Sequence, residues 1–386
     1  MTDTQPVPEP GPADVPSRVR RRVAVVFGGR SSEHAISCVT AAGVLQAIDQ
    51  DAWEVVPIGI TPAGRWVLTG DDPKRWRIEA GVFPQVEDSD GPGVLMPLEV
   101  GEAHLTVLEP GQVPQALAAV DVVFPLLHGP FGEDGTIQGL LELAGVRYVG
   151  SGVLASAACM DKHYMKVMLE GAGLPVGPYL VVRPGDWERD PQRVRDDVEE
   201  IGYPVFVKPA RAGSSMGITK VSRPEDLDQA VATAREHDPK VVVEATIVGR
   251  EIECAVLESV DGGAPATSRP GEIEVLGGHQ FYDFEAKYVD ESNVRLTCPA
   301  DLPEATVHAV RDLAARTFEA MGCEGLARVD FFVQSDGRVV VNEINTMPGF
   351  TPFSMYPRMW ERTGLPYPAL VDRLLTLALR RRVGLR

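Results

Sequence analysis

The sequence predicts a multidomain α/β protein: an N-terminal domain on an open parallel sheet, followed by two α+β segments. Three observations predict it. Arg22–Phe27 is an apolar run closed by Gly28-Gly29 and followed by a helical segment, the opening of an α/β unit. A second apolar run at 121–127 ends in the glycine-rich stretch HGPFGEDGT at 128–136. Downstream, 325–349 reads GLARVDFFVQSDGRVVVNEINTMPG, two β-branched runs joined by Asp-Gly, a strong hairpin signal.

The 386 residues are 44% hydrophobic with mean hydropathy -0.05, enough for two or three buried cores. Nowhere does an apolar run reach the roughly 18 residues of a membrane span. Residues 1–20 are rich in Pro and acid without an apolar centre, and are expected to form a disordered tail. Five scattered cysteines without a C-x-x-C pair fit a disulfide-free cytoplasmic protein lacking structural zinc. The net charge of -18 argues against nucleic acid and anionic membranes as partners. A nucleotide pocket needs only a few local cations and stays open.

Taken in order, Ser31 or Ser32 is expected to cap a helix starting near Glu33. Strands at about 54–60 and 121–127 follow. Their carboxyl ends would bring Glu33 and His128 to the edge where open α/β sheets bind ligands. Residues 61–118 mix Pro, Gly and charge without a period and read as a variable insertion. A short strand near 146–149 closes the domain at 150. One helical pattern then runs from Val153 to Gly171 and carries Lys162. Strand 203–209 delivers Lys208 to the loop ARAGSSMG at 210–217, either a phosphate-cupping turn or a plain connection to a strand at 218–221. A helix at 224–237 leads to strand 240–244, which ends at Glu244; strand 251–256 begins at Glu251, and strand 272–276 follows. Residues 279–298 lack a period and read as a lid. Helices at 303–321 and 367–382 flank the hairpin, the last ending in three arginines at a solvated terminus.

The hairpin carries chemistry. With a two-residue turn at Asp336-Gly337, Asp330 faces Glu343 and Arg328 faces Asn345. Opposed residues share a sheet face, so two acids, an amide and an arginine crowd together. A four-residue loop keeps this pairing; a three-residue loop breaks it. Such an oxygen-rich set suits Mg²⁺. The same residues also fit an ion pair of Arg328 with Asp330 or Glu343.

In order along the chain stand GGRSSEHAIS (28–37), HGPFGEDGTIQG (128–139), MDK (160–162), FVKPARAGSSMG (206–217), EAKY (285–288), GLARVD (325–330) and NEINTMPGFTPFSMYP (342–357). Through these segments the chain resembles the D-alanine–D-alanine ligases of the ATP-grasp superfamily, poorly only in the tail and at 61–118. The resemblance implies an N-terminal substrate domain (21–150), a small central ATP-grasp subdomain (151–247) and a larger catalytic one (248–386). It implies joining of two D-alanines at the expense of ATP, through an acylphosphate, for peptidoglycan precursor synthesis. It also implies Mg²⁺ or Mn²⁺, two ions, and a homodimer.

By resemblance, Lys162 and Lys208 meet phosphates and Lys287 reaches the γ-phosphate. Glu244 and the Ile247 backbone take the adenine, and Glu251 the ribose. Asp330, Glu343 and Asn345 hold metal, while Arg328 and the Gly349 N–H are oxyanion donors. Glu33 takes the first D-alanine's ammonium, with His128 near its carboxylate. Tyr288 and Ser214 bond with Glu33 on lid closure. Ser354 and Met355 contact the second D-alanine. Two alternatives are a D-alanine–D-lactate ligase, disfavoured by the intact Glu285-Ala286-Lys287-Tyr288, and an ATP-binding protein without catalysis, disfavoured by the completeness of the set. A Rossmann dehydrogenase fails because Gly28-Gly29 is not a dinucleotide fingerprint.

Overall fold

The computed structural model describes residues 20–79, 81–97, 104–213, 216–275 and 294–382. The expected tail up to residue 19, most of the expected lid with Lys287 and Tyr288, and Ser214 lie outside the described residues.

Seven strands form the first sheet: β1 (Arg21–Gly28), β2 (Trp53–Ile60), β3 (Trp66–Leu68), β4 (Gly93–Leu95), β5 (His104–Leu108), β6 (Gln115–Ala119) and β7 (Val122–Pro125). Their order is β6-β5-β4-β3-β2-β1-β7. Only β2-β1-β7 is parallel; the rest is an antiparallel extension. The described residues of 61–118 therefore contribute four short strands to the sheet rather than a wholly irregular insertion, each too short to display a period. The expected strand near 146–149 is a single bridge from Tyr148 to Val123.

Helices α1 (His34–Ala47) and α2 (Thr136–Ala144) cover opposite faces of the parallel strands. That two-sided cover explains the unbroken apolar run of β1. Neither Ser31 nor Ser32 caps α1: Glu33 holds the N-cap position, and Ser31 Oγ accepts the Glu33 N–H at 3.2 Å one turn earlier. Gly28 (φ 88°) must be glycine, since a β-carbon there would lie 2.4 Å from the Ile60 carbonyl oxygen.

The next segment holds α3 (Val153–Met160), α4 (Lys162–Gly171), β8 (Tyr179–Val182), α5 (Asp186–Arg189), α6 (Pro191–Ile201), β9 (Val205–Pro209), β10 (Thr219–Val221), α7 (Leu227–Arg235) and β11 (Val241–Ala245). Its four strands form an antiparallel sheet, β10-β9-β11-β8, packed on α6 and α7. The single helix expected over 153–171 is two. Asp161 leaves the helical conformation (φ -90°, ψ 101°) and caps α4, accepting the N–H groups of His163 and Tyr164. Its carboxylate also binds Lys240 Nζ. An acid that can serve as a cap offers the backbone an alternative to continuing the helix.

The last segment comprises β12 (Arg250–Leu257), β13 (Ala266–Thr267), β14 (Gly271–Val275), β15 (Val294–Thr297), α8 (Glu304–Ala320), β16 (Leu326–Val333), β17 (Val339–Asn345), α9 (Met355–Thr363) and α10 (Tyr367–Arg380). Strands run β15-β14-β12-β16-β17, with β13 on the end of β12. Strand β15 lies inside the expected lid loop, so the loop is shorter than 279–298. Helix α10 packs on α1 and β7, and α9 on β12, so one buried cluster fuses the first and last segments. Phe350 is its hinge, with Phe124 at 6.1 Å, Tyr356 at 5.8 Å and Tyr367 at 5.5 Å between ring centroids.

The hairpin reaches the expected pairing by an unexpected route. Gln334 N–H bonds to the Arg338 carbonyl, so the loop is the three residues Ser335-Asp336-Gly337. Near that loop Phe331 faces Val341 and Val333 faces Val339, one residue off the expected register. A bulge at Asn342 then restores it, so Asp330 faces Glu343 and Arg328 faces Asn345. The bulge also switches the parity of β17. Val339, Val341 and Ile344 all enter the core, while Glu343 and Asn345 turn to the other face.

Asp161 both breaks the helix and pairs a nearly buried lysine. Asp161→Ala should lower unfolding free energy by about 3–5 kcal/mol, through the lost cap and the orphaned Lys240. Urea denaturation measures it; a loss below about 1 kcal/mol would contradict this role.

Candidate active site

One cleft runs between the carboxyl ends of β1 and β7, the α3–α4 junction, Ala212, Gly213 and Ile218, and the bulged side of the hairpin. It is lined by Glu33, His128, Glu133, Lys162, Gly213, Arg328, Glu343, Asn345 and the segment 346–349, among others. Sequence residues 300 apart thus converge because α9 and α10 tie the last segment to the first sheet.

Arg328 is the electrostatic centre. Its Nε and Nη2 donate to the two Asp330 oxygens, each at 2.7 Å, and Nε lies 3.1 Å from Glu253 Oε1. The ion-pair reading of the hairpin is thus realised, with a partner the sequence reading missed. Glu253 sits opposite Asp330 on β12, and residues opposed across strands share a face. The clue was present in the strand EIECAV, where Glu251 and Glu253 stand at a spacing of two. Burial, the largest influence, pulls the Arg328 pKa down, but Asp330, Glu253 and Glu343 outweigh it and hold the guanidinium charged. Asn345 Nδ2 donates to Asp330 Oδ2 at 3.1 Å.

A second charged cluster lies on the four-stranded sheet. Lys208 Nζ donates to Glu244 Oε2 at 2.6 Å, and Lys166 Nζ lies 3.1 Å from Oε1. Burial acts to raise the Glu244 pKa, but the two ammoniums win and push it down to about 2. Lys166 was missed. It stands one turn beyond Lys162 on α4, the same helix face, and a lysine at that spacing was the available signal. Lys162 Nζ donates to the Ala212 carbonyl at 3.0 Å, and burial lowers its pKa. Ile247 packs over Gly177, where a β-carbon would lie 2.5 Å from its Cδ1. Loop 210–213 is anchored by Arg211, which grips Asp238 with two bonds of 2.8 Å.

At the first-sheet end, Glu33 is framed by two glycines. A β-carbon at Gly213 would lie 3.2 Å from Glu33 Oε1, and one at Gly129 3.3 Å from Oε2. Loop 210–213 therefore reaches the N-terminal acid. His128 is buried and fully engaged: Nδ1 lies 3.1 Å from the Met347 carbonyl and Nε2 3.2 Å from Thr40 Oγ1. Since a carbonyl only accepts, Nδ1 carries the proton. Burial pushes the imidazole down to about 4, so it presents a neutral ring to the cleft.

Glu133 was also missed, although HGPFGEDGT contains it. Its Oε2 accepts the Gly129 N–H at 2.7 Å and its Oε1 the Met347 N–H at 3.1 Å. Burial first, then the nearby Glu33, push its pKa up to about 8. Ser354 and Met355 are not brought to the cleft lining. Met355 is buried over Gly271, whose missing side chain makes room for its sulfur. Ser354 precedes α9 and shares a turn with Thr351, their hydroxyls 2.7 Å apart.

His128 generates a pH prediction. Its folded pKa of about 4 lies below the ordinary 6.5, so the unfolded chain takes up this proton first as pH falls. The group's contribution is intact above 6.5 and lost towards 4. The stability advantage of wild type over His128→Gln should shrink by about 3 kcal/mol between pH 7 and pH 4. Denaturant unfolding at a series of pH values reads it; a constant difference would contradict a neutral buried imidazole.

Similarity to known proteins agrees with this geometry. Residues 22–151 match the family model described as D-ala D-ala ligase N-terminus, and 168–376 the model described as D-ala D-ala ligase C-terminus. The chain is 65% identical over 376 residues to the D-alanine–D-alanine ligase of Kineococcus radiotolerans, covering 96% of this chain and 100% of that one. Among solved structures it resembles the D-alanine-D-alanine ligase of Coxiella burnetii (36% identity, 94% and 95% of the chains, TM-score 0.77). It is also similar to the VanG D-Ala:D-Ser ligase of Enterococcus faecalis (33% identity, 93% and 99%, TM-score 0.79). With both family models matched along one chain, and the cleft formed where their segments meet, this protein belongs to the D-alanine–D-alanine ligase family.

Proposed function

We propose that the chain joins two D-alanines to D-alanyl-D-alanine with conversion of ATP to ADP and phosphate, for peptidoglycan precursor synthesis. One observation carries the reading: Glu33, Lys162, Arg328, Glu343, Asn345 and Gly349 all line a single cleft. A carboxylate has no good leaving group, so phosphorylation supplies one. The first D-alanine attacks the γ-phosphate, and the second amine then attacks the acylphosphate carbonyl and expels phosphate. Phosphoryl transfer of this kind is mostly positioning and charge neutralisation.

The residues divide accordingly. Glu33 receives the first substrate's ammonium, its position supported by the glycine frame. Lys162 and Lys208 neutralise phosphates, with Lys287 joining from the lid. Lys208 is held by Glu244 but shares that carboxylate with Lys166, so it can turn to a phosphate while Glu244 keeps one partner. Glu244 and the Ile247 backbone meet the adenine, and Glu251 the ribose. Arg328 and the Gly349 N–H donate to the developing oxyanion, where one donor is typically worth about 3 kcal/mol. Tyr288 and Ser214 join Glu33 when the lid closes and excludes water. His128, being neutral and engaged by Met347 and Thr40, supports this site rather than supplying charge.

The donor set also fits a divalent cation. Asp330, Glu343 and Asn345 offer oxygens from one face, and the Asn345 amide nitrogen is turned to Asp330, leaving its oxygen for a ligand. Asp330, Glu343 and Asn345 would hold Mg²⁺ or Mn²⁺, in two ions, which would supply charge neutralisation for the phosphates. A cytoplasmic reaction follows from ATP as substrate.

Purified protein with Mg²⁺-ATP should form the dipeptide from D-alanine, with D-lactate, D-serine and L-alanine as competing second substrates. Dominant depsipeptide or D-alanyl-D-serine would overturn the assignment of D-alanine as second substrate. ADP release indifferent to D-alanine would overturn the ligase reading altogether.

A further inference from the structure

Three anchors fix the segment after the hairpin. The Met347 peptide is held on both sides: its N–H by Glu133 Oε1 at 3.1 Å and its carbonyl by His128 Nδ1 at 3.1 Å. Two residues past Met347 is Gly349, and one further is Phe350, locked among Phe124, Tyr356 and Tyr367. Tyr367 Oη also donates to the Phe350 carbonyl at 2.8 Å. Gly349 is thus suspended between a polar clamp and an aromatic one. Glu133 closes the polar clamp on its own loop as well, through the Gly129 N–H at 2.7 Å. The clamp crosses from the first sheet's loop to the hairpin's exit, joining residues 214 apart in sequence.

We propose that Glu133 is a positioning residue for the ligation: by accepting the Met347 and Gly129 amides it sets the Gly349 segment against the reacting carbonyl. The inference rests on the proposed ligase reaction, since it assigns Gly349 its oxyanion. Glu133 touches neither substrate nor phosphate in this role. It acts through Met347. The geometry requires a carboxyl group, because two convergent N–H donors need two oxygens, one facing each. Glutamine offers one, and turns an N–H₂ donor on the other amide. A carboxylate is nonetheless costly here. Burial and the neighbouring Glu33 both oppose its charge, and a residue kept against such opposition points to function rather than packing.

Glu133→Gln is nearly isosteric and removes a buried like-charge contact, so it should fold. Its kcat for dipeptide should fall roughly 100-fold, the scale for losing one oxyanion donor, with KM for ATP within threefold of wild type. Acylphosphate formation does not use the Gly349 N–H, so phosphate released per dipeptide should rise well above one as the intermediate hydrolyses. Glu133→Asp keeps two acceptors on a shorter stem and should recover part of kcat. Independently of turnover, hydrogen–deuterium exchange at the Met347 amide should quicken at least tenfold in Glu133→Gln. The proposal is overturned if Glu133→Gln keeps kcat within threefold and one phosphate per dipeptide, or if Met347 exchange is unchanged. It is equally overturned if ATP affinity and melting temperature collapse together with kcat, which marks general damage. A wild-type protein that makes no dipeptide would instead overturn the ligase reading, while the Met347 exchange still reports on the clamp.

Discussion

Arg328 brings two nearly buried carboxylates together on one guanidinium. Asp330 approaches it from its own strand and Glu253 from the adjacent β12, and all three are nearly buried. Removing a charge from water costs several kcal/mol, and only close opposite charge with good hydrogen bonds offsets it. The two Arg328–Asp330 bonds supply that geometry. Everything on the bulged face depends on it: Asn345 is oriented by Asp330, and Glu343 joins the same electrostatic group. The Glu244 cluster repeats the solution with lysines. Arg328 and Lys162 both line the cleft, which suits a polyanionic substrate.

The cleft also depends on how the sheets are joined. No single segment contains a complete site. Glu33 and Glu133 come from the first sheet's loops, Lys162 and Gly213 from the central segment, and Arg328, Glu343 and Gly349 from the hairpin and its exit. The shared core of β1, β7, α9 and α10 holds the first and last segments in fixed relation. Aromatic packing does this strongly and without direction; the Glu133 and His128 contacts with Met347 add direction. Rigidity in the scaffold is what allows a few hydrogen bonds to define a reactive geometry.

Much of this was legible in the chain. The Asp-Gly hairpin carries its own register, and the apolar run of β1 announces a strand covered on both faces. The pairing of Asp330 with Glu343 was correct for an incomplete reason: a three-residue loop displaced the register and the Asn342 bulge returned it. Alternation alone does not reveal a bulge. Residues 61–118 were opaque because strands of three to five residues carry too few alternations to register as a period. The break at Asp161 was hidden by continuous helical patterning on both sides of it. Glu133, Lys166 and Glu253 escaped because their roles arise from partners distant in sequence, which a local pattern does not encode.

The central claim is that the cleft activates a carboxylate by phosphoryl transfer before forming the peptide bond. D-Alanine labelled with ¹⁸O in its carboxylate tests this most directly, read by mass spectrometry of the released phosphate. The account predicts one labelled oxygen in phosphate for each dipeptide formed. Dipeptide formation with unlabelled phosphate would contradict it.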